Sequence, residues 1–297
     1  MVTLPATTSR KPQFRLIRAG LARPASILSS IGWAILSIGL FAGLWELAWA
    51  MGWADPLLLP PPHLFLSNFE RTLSFFSNRN QIGVAASGGG IAGLVTTSLY
   101  TTLRVVCGLT LGFVGGVTVG ALVHYVPIAR KLLMPTILLL TPISPVAWLP
   151  VAIFLFGIGN VPAIFLVFIT IFFAIVLSTA AQLESVPRSF LNVARIMGAN
   201  RNQMFWRVVF PSILPALFMT LRLNLFAAWM VVLIAEAVGV GSGLGQITSV
   251  ARSTFNAQLT FFTMAVIGVL GFTFDWGLRL VQRKLLWWVE PTGGAAR

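Results

Sequence analysis

Residues 192–215 read NVARIMGANRNQMFWRVVFPSILP, and this stretch lies between two long apolar runs, residues 161–181 and 216–237. The stretch contains three arginines and no acidic residue, and Arg188 lies just upstream of it. Each flanking run has the length that an α-helix needs to cross a bilayer, which is about 20 residues. The basic stretch is therefore interpreted as a connector held at a membrane surface.

The pattern within this stretch predicts two short helices joined by a sharp turn. Ala194 and Met197 share one helical face with Leu191, and Gly198 permits the turn that follows. Either asparagine of the ANRN run is suited to cap the second helix, and Pro211 is expected to end it. The pattern alone leaves two interpretations open. The unit is either an amphipathic connector that merely rests on lipid headgroups or a knob held at the membrane surface.

The composition is that of an integral membrane protein. Of the 297 residues, 57% are hydrophobic and 9% are charged, whereas soluble domains carry about 25% charged residues. The length suits about six spans joined by short loops. We expect an all-α polytopic membrane protein whose transmembrane domain covers residues 31–290. A basic tail over residues 1–30 precedes it and a short tail over residues 291–297 follows it.

The second candidate span carries a regular glycine repeat. Gly108, Gly112, Gly116 and Gly120 recur every four residues, so they lie on one face of a helix. Small faces allow close helix packing in lipid. The candidate spans are residues 31–51, 99–123, 132–156, 161–181, 216–238 and 259–280.

The third candidate span is expected to be broken. It contains Pro135, Pro142, Pro145 and Pro150, and each proline leaves a backbone carbonyl that lipid cannot satisfy. We therefore expect this segment to face protein or a watery path.

Three connecting segments carry weaker signals. Residues 64–76 are predicted to form one amphipathic helix, and residues 124–131 a short loop bearing Arg130 and Lys131. The Gly/Ser-rich residues 239–253 are interpreted as a loop that dips into the membrane.

Basic residues indicate the orientation. The net charge of +13 does not point to nucleic acid, because the basic residues lie at the ends of apolar runs. With the N-terminus in the cytoplasm, fifteen of the twenty Lys and Arg residues fall on the cytoplasmic side. The positive-inside rule therefore predicts a cytoplasmic N-terminus.

The sequence shows no catalytic constellation. None of the three lysines, Lys11, Lys131 and Lys284, lies in a GxxxxGK[ST] phosphate-binding loop. The single cysteine, Cys107, excludes an internal disulfide and a multi-cysteine metal site. We predict that the chain is not an enzyme and binds no cofactor. If ATP drives its function, another polypeptide binds the ATP and Mg²⁺.

Ionisable residues within the spans are functional candidates, because a charge at mid-membrane is costly. Glu236 either acts in gating, pairs with an arginine or caps the glycine-rich loop. Arg104 either attracts an anion in a pathway or reaches the outer surface. The i, i+4 spacing of Asp275 and Arg279 predicts a salt bridge. The candidates are Glu46, Arg104, Arg222, Glu236 and Asp275.

The basic stretch resembles the EAA motif of ABC-transporter permeases, with Asn192 where that motif often has Glu. From about residue 101 to 288 the chain is similar to the permeases for nitrate, sulfonate, taurine and bicarbonate. Ser178-Thr179 departs from that family's usual Asn-Thr. The matching residues of the motif are Val193, Ala194, Gly198, Ile213, Leu214 and Pro215. Elsewhere the matches include Leu103-Arg104, Pro142–Pro150, Leu221-Arg222, Ala228-Trp229, Ala235-Glu236 and Gly243-Leu244-Gly245.

The resemblance implies a type I ABC importer permease fold in a bacterial inner membrane. It implies that residues 184–212 form a coupling loop that docks on cytoplasmic ATPase subunits. It also implies an extracytoplasmic substrate-binding protein, a second permease copy and contact with membrane lipid, but no nucleic acid. The implied coupling residues are Asn192, Val193, Ala194, Gly198, Ala199, Ile213, Leu214 and Pro215. The expected pathway residues are Arg104, Pro142, Pro145, Trp148, Pro150, Arg222, Trp229 and Glu236.

The implied cargo is a small anion: a sulfonate or taurine, nitrate, or bicarbonate. One alternative is a neutral heterocyclic nutrient carried by the same kind of permease. Another is an ATP-independent channel or secondary transporter, and a third is a membrane scaffold. The sequence lacks the relay of several acids that a proton- or sodium-coupled transporter uses.

Overall fold

The computed structural model describes residues 24–53, 55, 59–67, 69–76 and 89–288. It divides into two units at Asp55. The described part of the first unit contains the helix α1 (Pro24–Ala50), which begins before the span start predicted at residue 31. The far N-terminal segment and the C-terminal tail lie outside the described residues.

The second unit is helical through most of its described residues. The short helices α2 (Pro62–Ser67) and α3 (Phe69–Leu73) come first, with a 3₁₀ turn at Ser74–Phe76. The central helices are α4 (Ile91–Tyr125), α5 (Pro127–Leu140), α6 (Leu149–Phe156) and α7 (Asn160–Ser185). The last helices are α8 (Arg188–Ile196), α9 (Arg201–Val240), α10 (Leu244–Ser253) and α11 (Ala257–Leu285).

Four of these helices are long and apolar enough to cross a membrane: α4, α7, α9 and α11. The pair α5 and α6 makes a fifth span if the bent pair counts as one. Within α1, the segment Ile35–Ala50 is also apolar and helical. The prediction of an all-α polytopic membrane protein is confirmed, with four or five of the expected spans evident by length and composition.

The glycine repeat of α4 packs directly against α7. A Cβ atom built on each of the four glycines would lie 2.5–2.8 Å from the Cβ of its partner residue, closer than real Cβ atoms approach. Only glycine allows the two backbones to lie this close. The predicted smooth packing face is therefore confirmed. The glycines Gly108, Gly112, Gly116 and Gly120 contact, in order, Val167, Ile171, Ile175 and Thr179.

The proline-rich segment is broken, as predicted. The helix α5 ends at Leu140, and the segment Pro145–Phe156 leaves it at an angle of 99°. The predicted loop over residues 124–131 is wrong, because α5 already begins at Pro127. Proline is favoured at the first position of a helix, where its missing N–H costs nothing. Arg130 therefore lies on a helix, and its guanidinium pairs with Glu184 at 2.8 Å.

The prediction that Pro211 ends a short helix is also wrong. The helix α9 runs without a break from Arg201 to Val240 and contains a π-helical turn at Phe205–Val209. In a regular α-helix the ring of Pro211 would clash with the carbonyl of Arg207, four residues earlier. The wider π turn contains Arg207 and lets the helix continue past the proline.

The amphipathic helix predicted over residues 64–76 is α-helical at 64–67 and 69–73 among the described residues. Its last part, Ser74–Phe76, is a 3₁₀ turn instead. Leu73 is the last α-helical residue of this segment, and Ser74 begins the 3₁₀ turn. Serine favours such boundaries because its hydroxyl competes for backbone hydrogen bonds.

Candidate coupling surface and buried ion-pair cluster

The turn at Gly198 joins α8 to α9 in a fixed geometry. Gly198 has a φ of 79°, in the left-handed region that favours glycine. Its N–H donates to the carbonyl of Arg195, and the N–H of Ala199 donates to that of Ala194, each at 3.0 Å. Asn200 caps α9 in a reciprocal capping box with Gln203. The structure confirms the predicted turn and identifies Asn200 as the capping asparagine.

One side of α8 is apolar and exposed. Ala194 is buried and Leu191 packs against the core, whereas four large apolar side chains point away from it. The prediction that Met197 shares the buried face is wrong. Met197 is the residue after the last helical position and is 80% exposed. We call the exposed set the outer ridge of α8; it consists of Phe190, Val193, Ile196 and Met197.

The implied coupling residues divide into a surface group and a buried group. Asn192, Val193 and Gly198 are exposed. Ile213 and Leu214 are buried, on the part of α9 that packs into the core. The remaining members are Ala194, which is buried, and Ala199 and Pro215, which are half-buried. The first part of the basic stretch is therefore exposed. Its last part is buried and packs into the helix bundle.

A buried ion pair joins α4 to the far end of α9. Arg104 is 2% exposed and Glu236 is fully buried, and the guanidinium Nη1 lies 2.5 Å from the carboxylate Oε1. The carboxylate Oε2 accepts hydrogen bonds from the Thr101 hydroxyl and the Gly245 backbone N–H, each at 3.0 Å. Both carboxylate oxygens are thus satisfied.

The other guanidinium hydrogens reach α7 and the loop before α10. Arg104 donates to Asn160 Oδ1 from Nε at 3.0 Å and from Nη2 at 2.6 Å. It donates to the Ser242 hydroxyl at 2.6 Å and to the Ser242 carbonyl at 3.1 Å. A Cβ on Gly243 would overlap the Glu236 carboxylate, so this glycine makes room for the cluster.

The cluster settles two interpretations left open by the sequence. The interpretation that Arg104 reaches the outer surface is wrong, and the interpretation that Glu236 pairs with an arginine and caps the glycine-rich loop is confirmed. A gating role for Glu236 stays a prediction. Sequence reasoning missed Asn160 and Ser242 as partners. The available signals were that Asn160 follows a glycine turn and Ser242 is the one polar side chain of GVGSGLG.

A second ion cluster lies between α9 and α11. Asp275 is buried and accepts from Arg222 Nε at 2.8 Å and from Arg279 Nε at 2.8 Å. The predicted salt bridge between Asp275 and Arg279 is confirmed. Arg222, an expected pathway residue, belongs to the same cluster. Two arginines share one carboxylate, so the cluster carries one excess positive charge.

The other expected pathway residues occupy varied positions. Trp229 is buried against Phe274 with ring centroids 6.1 Å apart, and Trp148 packs on the same core. Pro145 is half-buried, while Pro142 and Pro150 are exposed. Among the charged candidates, the structure pairs Arg104 with Glu236 and Arg222 with Asp275.

The described part of the chain holds no group of three or more His, Cys, Asp or Glu side chains placed to bind a metal ion. The geometry offers instead the exposed outer ridge of α8, the turn at Gly198 and the buried ion pair of Arg104 with Glu236.

The family model described as binding-protein-dependent transport system inner membrane component matches residues 108–287. The chain belongs to this family. The match covers the glycine face of α4, the outer ridge and most of both ion clusters. The permease is therefore a transport subunit of the ABC importer class and not an enzyme, and the ATPase is a separate subunit. Importers of this family work with ATPase and binding-protein partners.

Curated relatives cover most of the permease. A probable ABC transporter permease of Brucella abortus (strain 2308) is 32% identical, over 89% of this chain and 98% of the relative. The taurine transport system permease TauC of Escherichia coli (strain K12) is 31% identical, over 85% of this chain and 89% of TauC. Other relatives are named for bicarbonate, aliphatic sulfonate and nitrate import. The predicted family is thereby confirmed.

A solved structure shares the fold. An inward-facing conformation of the MetNI methionine ABC transporter matches with a TM-score of 0.56 and 24% identity. The match covers 65% of this chain and 95% of that chain. It supports the type I importer permease fold.

Proposed function

We propose that this permease is the translocating subunit of an ATP-driven importer that carries a small anionic nutrient across the bacterial inner membrane. The importer contains two copies of this chain, two cytoplasmic ATPase subunits and an extracytoplasmic binding protein. The N-terminus and α8 face the cytoplasm. Family membership supports the general role, and the outer ridge of α8 carries the assignment of the ATPase contact.

The outer ridge has the properties of a protein-docking surface. Its side chains are 52–86% exposed and lie close together on one side of a short helix. Contiguous apolar surface rimmed by polar residues marks interaction sites. Arg188 lies on the same helix and forms no salt bridge with any described residue. An ATPase groove with apolar walls and an acidic rim complements this surface.

The attachment of α8 explains how docking reaches the membrane domain. The Gly198 turn and the Asn200 capping box fix α8 to the start of α9. The 40-residue α9 then runs unbroken to Val240, and a helix of that length spans about 60 Å. Its far end carries Glu236 in the buried cluster. Movement of α8 on the ATPase is therefore transmitted to the opposite end of the bundle, as alternating access requires.

Alternating access through this route has a defined order. ATP closes the ATPase dimer, the two copies of α8 move together, and the permease opens outward to receive substrate from the binding protein. ATP hydrolysis restores the inward-facing state. A channel or secondary transporter binds no ATPase and therefore does not require a docking surface such as the outer ridge. Uptake that continues without ATP would favour those alternatives.

The variant Ile196→Asp tests the docking surface. A charge at Ile196, the most exposed side chain of the ridge, is expected to weaken ATPase binding at least about tenfold, because buried anchors dominate interface energy. Binding is measured by co-purification of the ATPase from membranes and by binding-protein-stimulated ATP hydrolysis. Phe255→Asp is the matched control, since Phe255 is 94% exposed in the turn between α10 and α11, outside α8. Normal ATPase recovery with Ile196→Asp would contradict the proposal.

A small anion is the cargo we propose, because relatives are named for taurine, sulfonate, nitrate and bicarbonate import. The excess positive charge at Arg222, Asp275 and Arg279 supports it, since a cationic site favours an entering anion. The expected pathway runs past residues 142–150 and the part of α9 between Arg222 and Glu236. A neutral heterocycle is the second candidate.

A ligand screen on the partner binding protein tests the cargo. Taurine or another sulfonate, nitrate or bicarbonate is expected to raise its unfolding temperature, because a ligand that binds only the folded state stabilises it. Pyrimidine and flavin precursors are the neutral comparison set. A shift with a neutral heterocycle and none with any anion would contradict the anion assignment and leave the importer assignment intact.

A further inference from the structure

A cavity lies behind α8. It is an open cavity with a volume of about 820 Å³, lined by the ends of α4 and α7, by α8 and by the start of α9. This size falls within the range of small-ligand sites, about 300–1,000 Å³. Much of its wall is apolar and includes Leu183, Val186, Leu191 and Val209. None of these wall residues belongs to the outer ridge.

The polar part of the cavity lining is cationic. Arg195 and Arg201 both line it, and neither forms a salt bridge within the described residues. The nearby acid, Glu184, is already paired with Arg130. His124 also lines the cavity, and its Nδ1 is buried without a hydrogen-bond partner in the described structure. The lining therefore offers two unpaired guanidinium groups and an unsatisfied imidazole nitrogen against an apolar wall.

We propose that this cavity binds an anionic phospholipid, with the phosphate on Arg195 and Arg201. Guanidinium groups bind phosphate through paired, charge-assisted hydrogen bonds. The cavity lies at the ends of two spans, α4 and α7, where lipid headgroups meet basic residues. Leu122 and Tyr125 line the cavity and are also exposed, so they provide an apolar path for the glycerol and acyl chain.

Such a lipid would stabilise the position of α8, the proposed coupling helix, against the bundle. Leu191 and Arg195 are one helical turn apart on α8 and both contact the cavity. A bound lipid would hold α8 against the bundle while the outer ridge stays free for the ATPase. The lipid site is argued from the cavity alone, and only its effect on coupling rests on the proposed function.

Lipid binding is tested on the full-length permease purified in detergent without its ATPase, so that variants that alter ATPase docking can be compared. Phosphatidylglycerol and phosphatidylcholine are titrated, and bound lipid is counted by native mass spectrometry. The variant Arg195→Gln/Arg201→Gln is expected to bind phosphatidylglycerol at least about tenfold more weakly, because each basic residue near an anionic headgroup adds to the attraction. Arg188→Gln/Arg207→Gln is the matched control. It removes the same charge from the same segment outside the cavity, and it is expected to bind normally.

Three outcomes would overturn the proposal: equal binding of the two lipids, equal weakening in both double variants, or full displacement of the lipid by inorganic phosphate. The last would assign the site to a soluble anion. If the double variant is unstable, Arg201→Gln alone serves, since single substitutions at exposed positions rarely unfold a protein. The Ile196→Asp permease separates the two proposals, because loss of ATPase docking is expected to leave phosphatidylglycerol binding unchanged.

Discussion

A permease in which Glu236 is replaced by alanine is expected to lose about 3–5 kcal/mol of unfolding free energy, because removing one partner of a buried ion pair leaves the other charge uncompensated. Arg104 is 2% exposed, so water cannot replace the lost carboxylate. The first turn of α10 also loses its acceptor for the Gly245 N–H. Denaturant or thermal unfolding of the purified permease, followed by tryptophan fluorescence, measures the loss.

An exposed pair of the same residue types is the matched control. Arg130 and Glu184 have side chains that are 54% and 51% exposed. Replacing Glu184 by alanine is expected to cost at most about 1 kcal/mol, because water and salt screen surface ion pairs. The double variant Arg104→Met/Glu236→Leu removes both buried charges and is expected to regain part of the stability. Equal losses for Glu236→Ala and Glu184→Ala would contradict the role of the buried cluster.

The second large effect is expected at the contact between α4 and α7. A Cβ at Gly116 would lie 2.7 Å from the Cβ of Ile175 and 3.0 Å from the carbonyl oxygen of Phe172. Gly116→Leu is therefore expected to force the two helices apart and to prevent recovery of folded permease. Gly116→Ala is expected to cost about 1–3 kcal/mol, as overpacking does. Recovery in a monodisperse gel-filtration peak and the unfolding midpoint measure both effects.

The adjacent glycine provides a control at the same depth of the same helix. A Cβ at Gly115 would lie 3.5 Å from the rings of Phe168 and Phe172, which is ordinary contact. Gly115→Ala is expected to be neutral or stabilising by up to about 1 kcal/mol, because alanine has the higher helix propensity. If Gly115→Ala and Gly116→Ala destabilise equally, close backbone approach is not the reason for the glycine repeat.

The local features of this permease were predictable from its sequence because they depend on neighbours in the chain. The four-residue spacing of Gly108 to Gly120 defines one helical face in any helix. The turn at Gly198 follows from the left-handed backbone that glycine tolerates. The break in the proline-rich segment follows from missing N–H groups. The salt bridge of Asp275 with Arg279 follows from the i, i+4 spacing.

Features that join distant segments, or that depend on how a backbone relaxes, were decided by the tertiary structure. Asn160 and Ser242 are polar residues in turns or at their edges, and only the packing of α4 against α7 and α9 brings them to Arg104. Arg222 reaches Asp275 across 53 positions of the chain.

By itself, the sequence determined the helical class, the small-residue face, the turn at Gly198 and the basic stretch. Each of these depends on residue type and spacing within a few turns. The tertiary structure alone decided which charges pair, that α9 continues past Pro211, and which side of α8 stays exposed. Those outcomes depend on which surfaces compete for burial, because a charge or an apolar face is stabilised only by the particular groups that fold against it.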